Sequence, residues 1–179
     1  MRNLQFIIIL LVSIKCYSQT HLPIDSTTGK INYTEVVKVD SISKTELFSR
    51  AKMWFAKAFV SSQDVVQNAD EANTVIFGKA NFTGYTKALG MIFEQGIISF
   101  NLNIACKDGR YKYCFTDFVH HATAGNKLPS GGELEKDSAP FEWMGGQWRY
   151  LKSDLDQNIQ SLITSLKAAM NKPLISSDW

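Results

Sequence analysis

Residues 98–116 have the pattern of a β-hairpin that is buried on one face and exposed on the other. Apolar and polar residues alternate on both sides of Asp108-Gly109, a dipeptide that favours a two-residue turn. If these two residues form the turn, Lys107 pairs with Arg110, and the residues before Lys107 pair in order with the residues after Arg110. The apolar face then carries Ile98, Phe100, Leu102, Ile104, Cys106, Tyr111, Tyr113 and Phe115. Such alternation predicts an antiparallel sheet that is covered on one face only.

Three more strands are predicted before this hairpin. Residues 31–39 are rich in Val, Tyr and Thr, which favour strands, and residues 64–67 and 74–80 form two shorter candidates around a turn at 68–72. The stretch around Gly84 and Gly90 has no clear periodicity and is expected to be looser.

Two helices complete the predicted layout. Ser43-Lys44-Thr45-Glu46 is a capping box, and the helix it opens should end near Ser61-Ser62. A second helix is expected to open with Ser153 and to stop at Asn171 and Pro173. The order β-α-β-β-β-β-α predicts an α+β fold in which an antiparallel sheet carries both helices on one face.

The N-terminus has the features of a secretory signal peptide. Arg2 precedes an apolar run over residues 4–14, and Cys16 and Ser18 place small residues at the −3 and −1 positions of a cleavage site. Lipidation at Cys16 and a retained anchor are the alternatives. We therefore expect an exported, periplasmic or envelope-associated protein with no transmembrane span after cleavage.

The expected domain organisation follows from these boundaries. Residues 1–18 are the signal peptide and residues 19–30 an irregular leader. One domain covers residues 31–172, with a long loop at about 121–146, and residues 173–179 are a tail.

The net charge and the positions of the cysteines restrict the classes of function that the chain can have. Removal of residues 1–18 leaves 17 of the 19 basic residues against 17 acidic ones, so the remaining chain is formally neutral. DNA- and RNA-binding proteins usually carry a basic excess, and we predict no nucleic-acid partner. Cys106 and Cys114 fall on opposite faces of the predicted hairpin, which favours two free thiols.

Three blocks of the sequence stand out together. They are Leu22-Pro23-Ile24-Asp25 with Thr28-Gly29-Lys30-Ile31, Tyr33 and Glu35-Val36-Val37, then Glu46-Leu47, Arg50-Ala51-Lys52 and Trp54-Phe55, then Asp70-Glu71-Ala72 with Gly78-Lys79. In this order they resemble a bacterial family, domain of unknown function 4468, with a TATA-box-binding-protein-like (TBP-like) fold. The resemblance implies a β-α-β-β-β-β-α domain in secreted or envelope proteins. It supplies no catalytic residue, and fold alone does not fix function.

Familiar catalytic motifs are absent from the sequence. It contains no Gly-x-Ser-x-Gly, no P-loop and no Gly-x-Gly-x-x-Gly. His120 and His121 are adjacent on a strand and should face opposite ways, as exposed residues at a strand end. We predict no cofactor, no metal site and no catalytic residue.

Two surfaces are candidates for binding. The polar face of the hairpin offers Asn101, Asn103, Lys112 and Thr116, and residues 141–150 contain an aromatic cluster with Trp143 and Trp148. The alternatives are a solvated sheet face and aromatic residues that pack at the entry to the second helix. The leading hypothesis is a non-enzymatic binding or structural module whose partner is an envelope protein, a peptide or a glycan.

A hydrolase acting on an envelope polymer is the alternative function. Glu35 and Asp117 fall on faces that otherwise look apolar, where carboxylates can have raised pKa values and act as acids. A bulge or strand end that turns each one outward is the competing interpretation.

Overall fold

The structure of the protein is a computed structural model that describes residues 22–59, 65–123, 129–139 and 145–172. The elements, in chain order, are β1 (Tyr33–Lys38), α1 (Lys44–Ala58), β2 (Val66–Asp70), β3 (Val75–Ala88), β4 (Met91–Lys107), β5 (Arg110–His121), β6 (Gly132–Glu133) and α2 (Gly145–Asn171). The predicted order is confirmed, with the two-residue strand β6 added inside the segment that was expected to be a long loop.

Several expectations lie outside the described residues. These are the signal peptide, the leader up to His21, the C-terminal tail from Pro173, and Trp143. They stay predictions.

The six strands form one antiparallel sheet in the order β1-β5-β4-β3-β2, and β6 pairs with β5 beyond the end of β1. The predicted hairpin is confirmed, because Lys107 pairs with Arg110 and Cys106 with Tyr111. All eight residues assigned to its apolar face are buried.

Both helices pack on this apolar face. A Cβ atom added at Gly78 would lie 2.8 Å from the Phe55 ring of α1, and one at Gly84 would lie 2.9 Å from Leu151 of α2. Glycine at these positions lets the helices approach the strands closely. The helices also touch each other, since Trp54 donates a hydrogen bond to Ser165 at 2.9 Å. The opposite face of the sheet carries no helix among the described residues.

Helix α1 begins as the capping box predicts. The Ser43 hydroxyl accepts a hydrogen bond from the backbone N–H of Glu46 at 3.2 Å. The Glu46 carboxylate pairs with Arg50, whose buried guanidinium also donates to the carbonyl of Met170 near the end of α2. The helix ends at Ala58, a few residues before the expected Ser61, because Phe59 is already extended.

The stretch expected to be loose is a long hairpin with one register shift, between Thr83 and Tyr85. Strands β3 and β4 run to a two-residue turn at Leu89-Gly90, where both residues have positive φ, 50° and 82°. These angles fit the type I′ turn that suits twisted strands. Strand β3 continues through Gly84, which lies at the register shift and makes room for Leu151, and Gly90 belongs to the turn.

Helix α2 begins at Gly145, eight residues before the predicted opening at Ser153. Trp148 therefore lies in its first turns and is buried, with its Nε1 donating to the carbonyl of Lys136 at 3.0 Å. This supports the packing alternative for Trp148 over an exposed binding residue. Neither helix within the described ranges combines the length and the apolar character needed to cross a membrane.

His120 is buried and not exposed as the sequence suggested, because it joins three parts of the fold. Its Nδ1 accepts a hydrogen bond from the Gly131 backbone N–H at 2.8 Å, and its Nε2 faces the carbonyl of Gln95. The ring also packs edge-on against Trp148. These partners fit a neutral imidazole that carries its proton on Nε2.

We expect stability to fall as the pH drops below about 6.5, the ordinary pKa of histidine. Burial holds the pKa of His120 below that value, so the unfolded state takes up the proton first. The contribution is complete above the unfolded pKa and is lost as pH falls toward the folded pKa, with a slope of up to about 1.4 kcal/mol per pH unit. Urea midpoints measured from pH 7.5 to pH 5 test this.

The matched variants are His120→Gln and His121→Gln. The glutamine amide can accept and donate as the neutral ring does but does not titrate, so His120→Gln should flatten the decline between pH 7.5 and pH 5. His121 is exposed, and its variant should keep the decline. Equal slopes in both variants would contradict the assignment to His120.

Candidate functional site

A groove of about 380 Å³ lies on the sheet face that the helices leave uncovered. We call it the open-face groove. It is formed by side chains and backbone of β2 to β5. Its principal lining residues are Gln67, Phe77, Lys79, Asn101, Asn103, Cys114, Thr116 and Asp117. Three of the predicted binding residues, Asn101, Asn103 and Thr116, are therefore part of one concave surface.

The strand register brings these side chains together in two rows. Asn101 pairs with Lys79 on one side and with Thr116 on the other. Asn103 likewise pairs with Phe77 and with Cys114. Directly opposite residues of antiparallel strands point to the same face at close range, so each row crosses the floor of the groove.

A β-bulge moves Asp117 into the groove. The pairing of β4 with β5 changes from Asn101–Thr116 to Ser99–Val119, and Asp117 takes a φ of 57° at the irregularity. Phe118 takes the buried position instead. The Asp117 carboxylate accepts a hydrogen bond from the Asn101 amide at 2.9 Å. The expectation that Asp117 lies on the apolar face is wrong, because the extra residue of a bulge reverses the alternation.

The groove is polar, close to neutral and has one aromatic wall. Lys79 and Asp117 supply one charge of each sign, while the amides and Thr116 can both donate and accept hydrogen bonds. The Phe77 side chain is 47% exposed. The Asn103 Oδ1 atom is buried and has no hydrogen-bond partner in the described part of the chain. A buried polar atom without a partner costs free energy, which a hydrogen bond from a ligand would recover.

The other predicted residues lie elsewhere. Lys112 is exposed on the same face but sits one row away, between Ala105 and Val36, and does not line the groove. Trp148 is on the helix side of the sheet. Trp148, the described one of the two tryptophans, is thus on the opposite side of the sheet from Asn101, Asn103 and Thr116.

Glu35 and Asp117 are not brought together. Glu35 lies on the helix side, where it accepts hydrogen bonds from Lys167 of α2 at 2.6 Å and from the Tyr113 hydroxyl at 2.7 Å. These two partners lower the pKa of Glu35, whereas a general acid needs a raised value. The structure gives this pair of carboxylates no shared site.

Cys106 and Cys114, the two cysteines among the described residues, are free and face opposite sides of the sheet, as predicted. Burial raises the pKa of Cys106 to about 12 and also raises that of Cys114, which donates a hydrogen bond to the Asn32 side chain at 3.2 Å. Because the thiolate is the reactive form, neither thiol is prepared to act as a nucleophile. Within the described ranges no three His, Cys, Asp or Glu side chains are placed to hold a metal ion.

Sequence reasoning missed Phe77 and Lys79 as members of the groove. The alternation over residues 74–80 contained the signal, since Phe77 and Lys79 fall on one face and Ile76 and Ala80 on the other. Gly78 lies between them on the face of Ile76 and Ala80, and because it has no side chain the sequence did not show which face is buried. In the structure Phe55 of α1 packs over Gly78, so the face of Ile76 and Ala80 is the buried one.

Comparison with known proteins gives information about the fold of the chain. Residues 33–121 match the profile of a family described as a domain of unknown function (DUF4468) with TBP-like fold. A TBP-like protein from Parabacteroides distasonis ATCC 8503 superposes with a TM-score of 0.70 at 18% identity, over 86% of this chain and 99% of the other. A DUF4468 family protein from Bacteroides ovatus ATCC 8483 gives 0.61 at 14% identity, over 85% and 91%. No curated protein matches the sequence.

Proposed function

Since residues 33–121 match the DUF4468 family, a domain of unknown function, we propose a function from the chain's own surface. The protein is a non-enzymatic binding module of the bacterial envelope that holds a neutral glycan in the open-face groove. The observation that carries the proposal is the row in which Asn103 lies beside the exposed ring of Phe77. In that row, the Asn103 amide oxygen, which has no hydrogen-bond partner in the described part of the chain, lies beside the apolar face of an aromatic ring.

The chemistry of the groove fits a sugar better than an ion. Sugar hydroxyls donate and accept hydrogen bonds, as do Asn101, Asn103 and Thr116. An aromatic ring presents an apolar face that can cover the C–H side of a pyranose. The balanced charges of Lys79 and Asp117 offer no net attraction to a polyanion, because affinity for nucleic acid depends on a basic excess.

The N-terminal sequence supports the proposed location of the protein in the cell envelope. The apolar run over residues 4–14 and the small residues at Cys16 and Ser18 match a secretory signal. A glycan-binding role is compatible with export, since cell-wall and capsular polymers lie outside the cytoplasm.

A catalytic role is not supported by the residues that sequence reasoning selected. Glu35 is held ionised by Lys167 and Tyr113, and Asp117 is on the other face of the sheet. Inverting and retaining glycosidases both need two carboxylates that flank one bond. Binding without turnover is the function that this arrangement favours.

We expect the wild-type chain to bind one class within a panel of neutral oligosaccharides and not a matched panel of uncharged peptides. The panel contains glucose, mannose and N-acetylglucosamine oligomers, and affinity is measured by isothermal titration calorimetry. Phe77→Ala and Asn103→Leu should each weaken binding at least tenfold, a loss of about 1.4 kcal/mol or more. Lys112→Ala is the matched control, because Lys112 shares the face but lies outside the groove.

Three results would count against the proposal. Absence of binding to every oligosaccharide contradicts the glycan assignment. Binding that Phe77→Ala and Asn103→Leu leave unchanged removes the open-face groove as the site. Peptide binding that is sensitive to the same variants keeps the groove and replaces the ligand class.

A further inference from the structure

The hairpin of β3 and β4 ends in a tip with exposed apolar side chains, and we call residues 85–94 the finger. Among the described residues, five of the nine exposed large hydrophobic side chains belong to it. Leu89 is 95% exposed, Ile92 62% and Met91 56%. Tyr85 and Phe93 are the other two. A cluster of this kind on a soluble domain usually marks a site of interaction.

The exposed apolar side chains occur on both faces of the finger. Phe93 pairs with Thr86 and shares its face, which turns toward α2, since Thr86 donates to the carbonyl of Gln147 at 3.2 Å. Ile92 pairs with Lys87 and points the other way. Met91 lies on the face of Phe93, because side chains alternate along a strand. An environment that surrounds the finger with apolar groups on all sides would remove the apolar side chains of both faces from water.

The turn itself places a leucine where glycine, asparagine or aspartate is usual. Leu89 has a φ of 50° in a type I′ turn, a conformation that is rare for a bulky side chain. Unusual backbone conformations of this kind occur preferentially at functional sites. The strained turn directs the side chain of Leu89 into solvent at the end of the hairpin.

We propose that the finger inserts its tip into a lipid bilayer, at the boundary between headgroups and acyl chains. Along the strand, Lys87 and Tyr85 lie about 7 Å and 13 Å from Leu89 at the usual rise per residue. Interfacial segments bury their apolar part about 5–10 Å deep, which leaves Lys87 and Tyr85 at the level of the headgroups. Lysine and tyrosine are suited to that position, because each has an apolar body and a polar end.

The base of the finger is held by α2, which fixes its direction. The backbone N–H of Tyr85 donates to the Asp154 carboxylate at 3.1 Å, and Thr86 is bound to the carbonyl of Gln147. Lys87 and Glu94 are the charged residues of the finger and balance each other. Insertion should therefore depend on apolar contact and need no anionic lipid.

The test is co-sedimentation with vesicles of phosphatidylcholine, and of phosphatidylethanolamine with phosphatidylglycerol. Every variant is the full chain with its own N-terminal sequence, so any binding of residues 1–21 to the vesicles is the same in wild type and variants. Wild type should bind both vesicle types, and Leu89→Ser/Ile92→Ser should lower the partition coefficient at least tenfold. Val36→Ser/Phe77→Ser, which alters exposed apolar residues of the open face, should leave it within twofold.

A tryptophan reporter locates the contact. Leu89→Trp fluorescence should be quenched by bromine-labelled acyl chains, and Phe77→Trp should add no quenching to that of the native tryptophans. Equal vesicle binding by wild type and the tip variant overturns the proposal, as does wild type that stays in solution. Self-association that the tip variant abolishes, in the absence of vesicle binding, would assign the finger to a second copy of the chain and also overturn it. Melting temperatures close to wild type establish that the variants are folded.

Discussion

Replacing Gly96 by alanine should lower the free energy of unfolding by about 4 kcal/mol, because two costs combine at this position. Gly96 has a φ of +80°, in the region that side chains rarely adopt, and an added Cβ would lie 2.1 Å from the backbone oxygen of His121. That oxygen belongs to the neighbouring strand, so either β4 or β5 has to shift. Urea denaturation of the variant measures the loss.

Gly90 provides the matched control for the steric part of this cost. Its φ is +82°, almost the same, but an added Cβ meets nothing within 4 Å. Gly90→Ala should therefore cost only about 1 kcal/mol, from backbone conformation alone. Equal losses in the two variants would show that the contact with His121 is not limiting. A Gly96→Ala chain that fails to fold agrees with the larger cost, since domains have only about 5–15 kcal/mol of stability.

Phe100→Ala should cost about 3–5 kcal/mol, the range for removing a buried aromatic side chain. The Phe100 ring lies 5.8 Å from the Phe118 ring and 6.0 Å from the Phe115 ring, in the middle of the covered face. Truncation leaves a cavity that these neighbours cannot fill.

Phe77→Ala is the comparison that tests the assignment of the two faces. Phe77 is on the neighbouring strand β3 but points to the open face, so its truncation should change stability by no more than about 0.5 kcal/mol. Chemical denaturation of both variants under the same conditions gives the difference. Similar losses for Phe77 and Phe100 would mean that the open face is covered in solution.

The central part of the fold is predictable because its signals are local. Asp108-Gly109 sets the register of the hairpin, and strict alternation then identifies the buried residues of its apolar face between Ile98 and Phe115. Ser43 and Glu46 place the start of α1 to the residue. These features depend on neighbours in sequence, and a single chain is sufficient to recognise them.

The candidate site was predictable only where the alternation is regular. Asn101, Asn103 and Thr116 were found from the pattern, whereas Asp117 was assigned to the wrong face because a bulge leaves no signal in residue spacing. The stretch around Gly84 was expected to be looser, whereas β3 continues through this glycine, which admits Leu151 of α2. The start of α2 was missed because Gly145 and Gly146 are poor helix formers, and tertiary contacts of Trp148 outweigh that preference.

The position of β1 in the sheet affects how the chain can fold while it is being synthesised. Tyr33 pairs with Phe115, which is made about 80 residues later. At a synthesis rate of about 5–20 residues per second, β1 waits roughly 4–16 s for its only partner strand in the described sheet. Strands β3, β4 and β5 follow one another in the chain and can pair as they emerge. Their apolar face lacks α2 until Asn171 is made, so the nascent chain needs protection from aggregation during that interval.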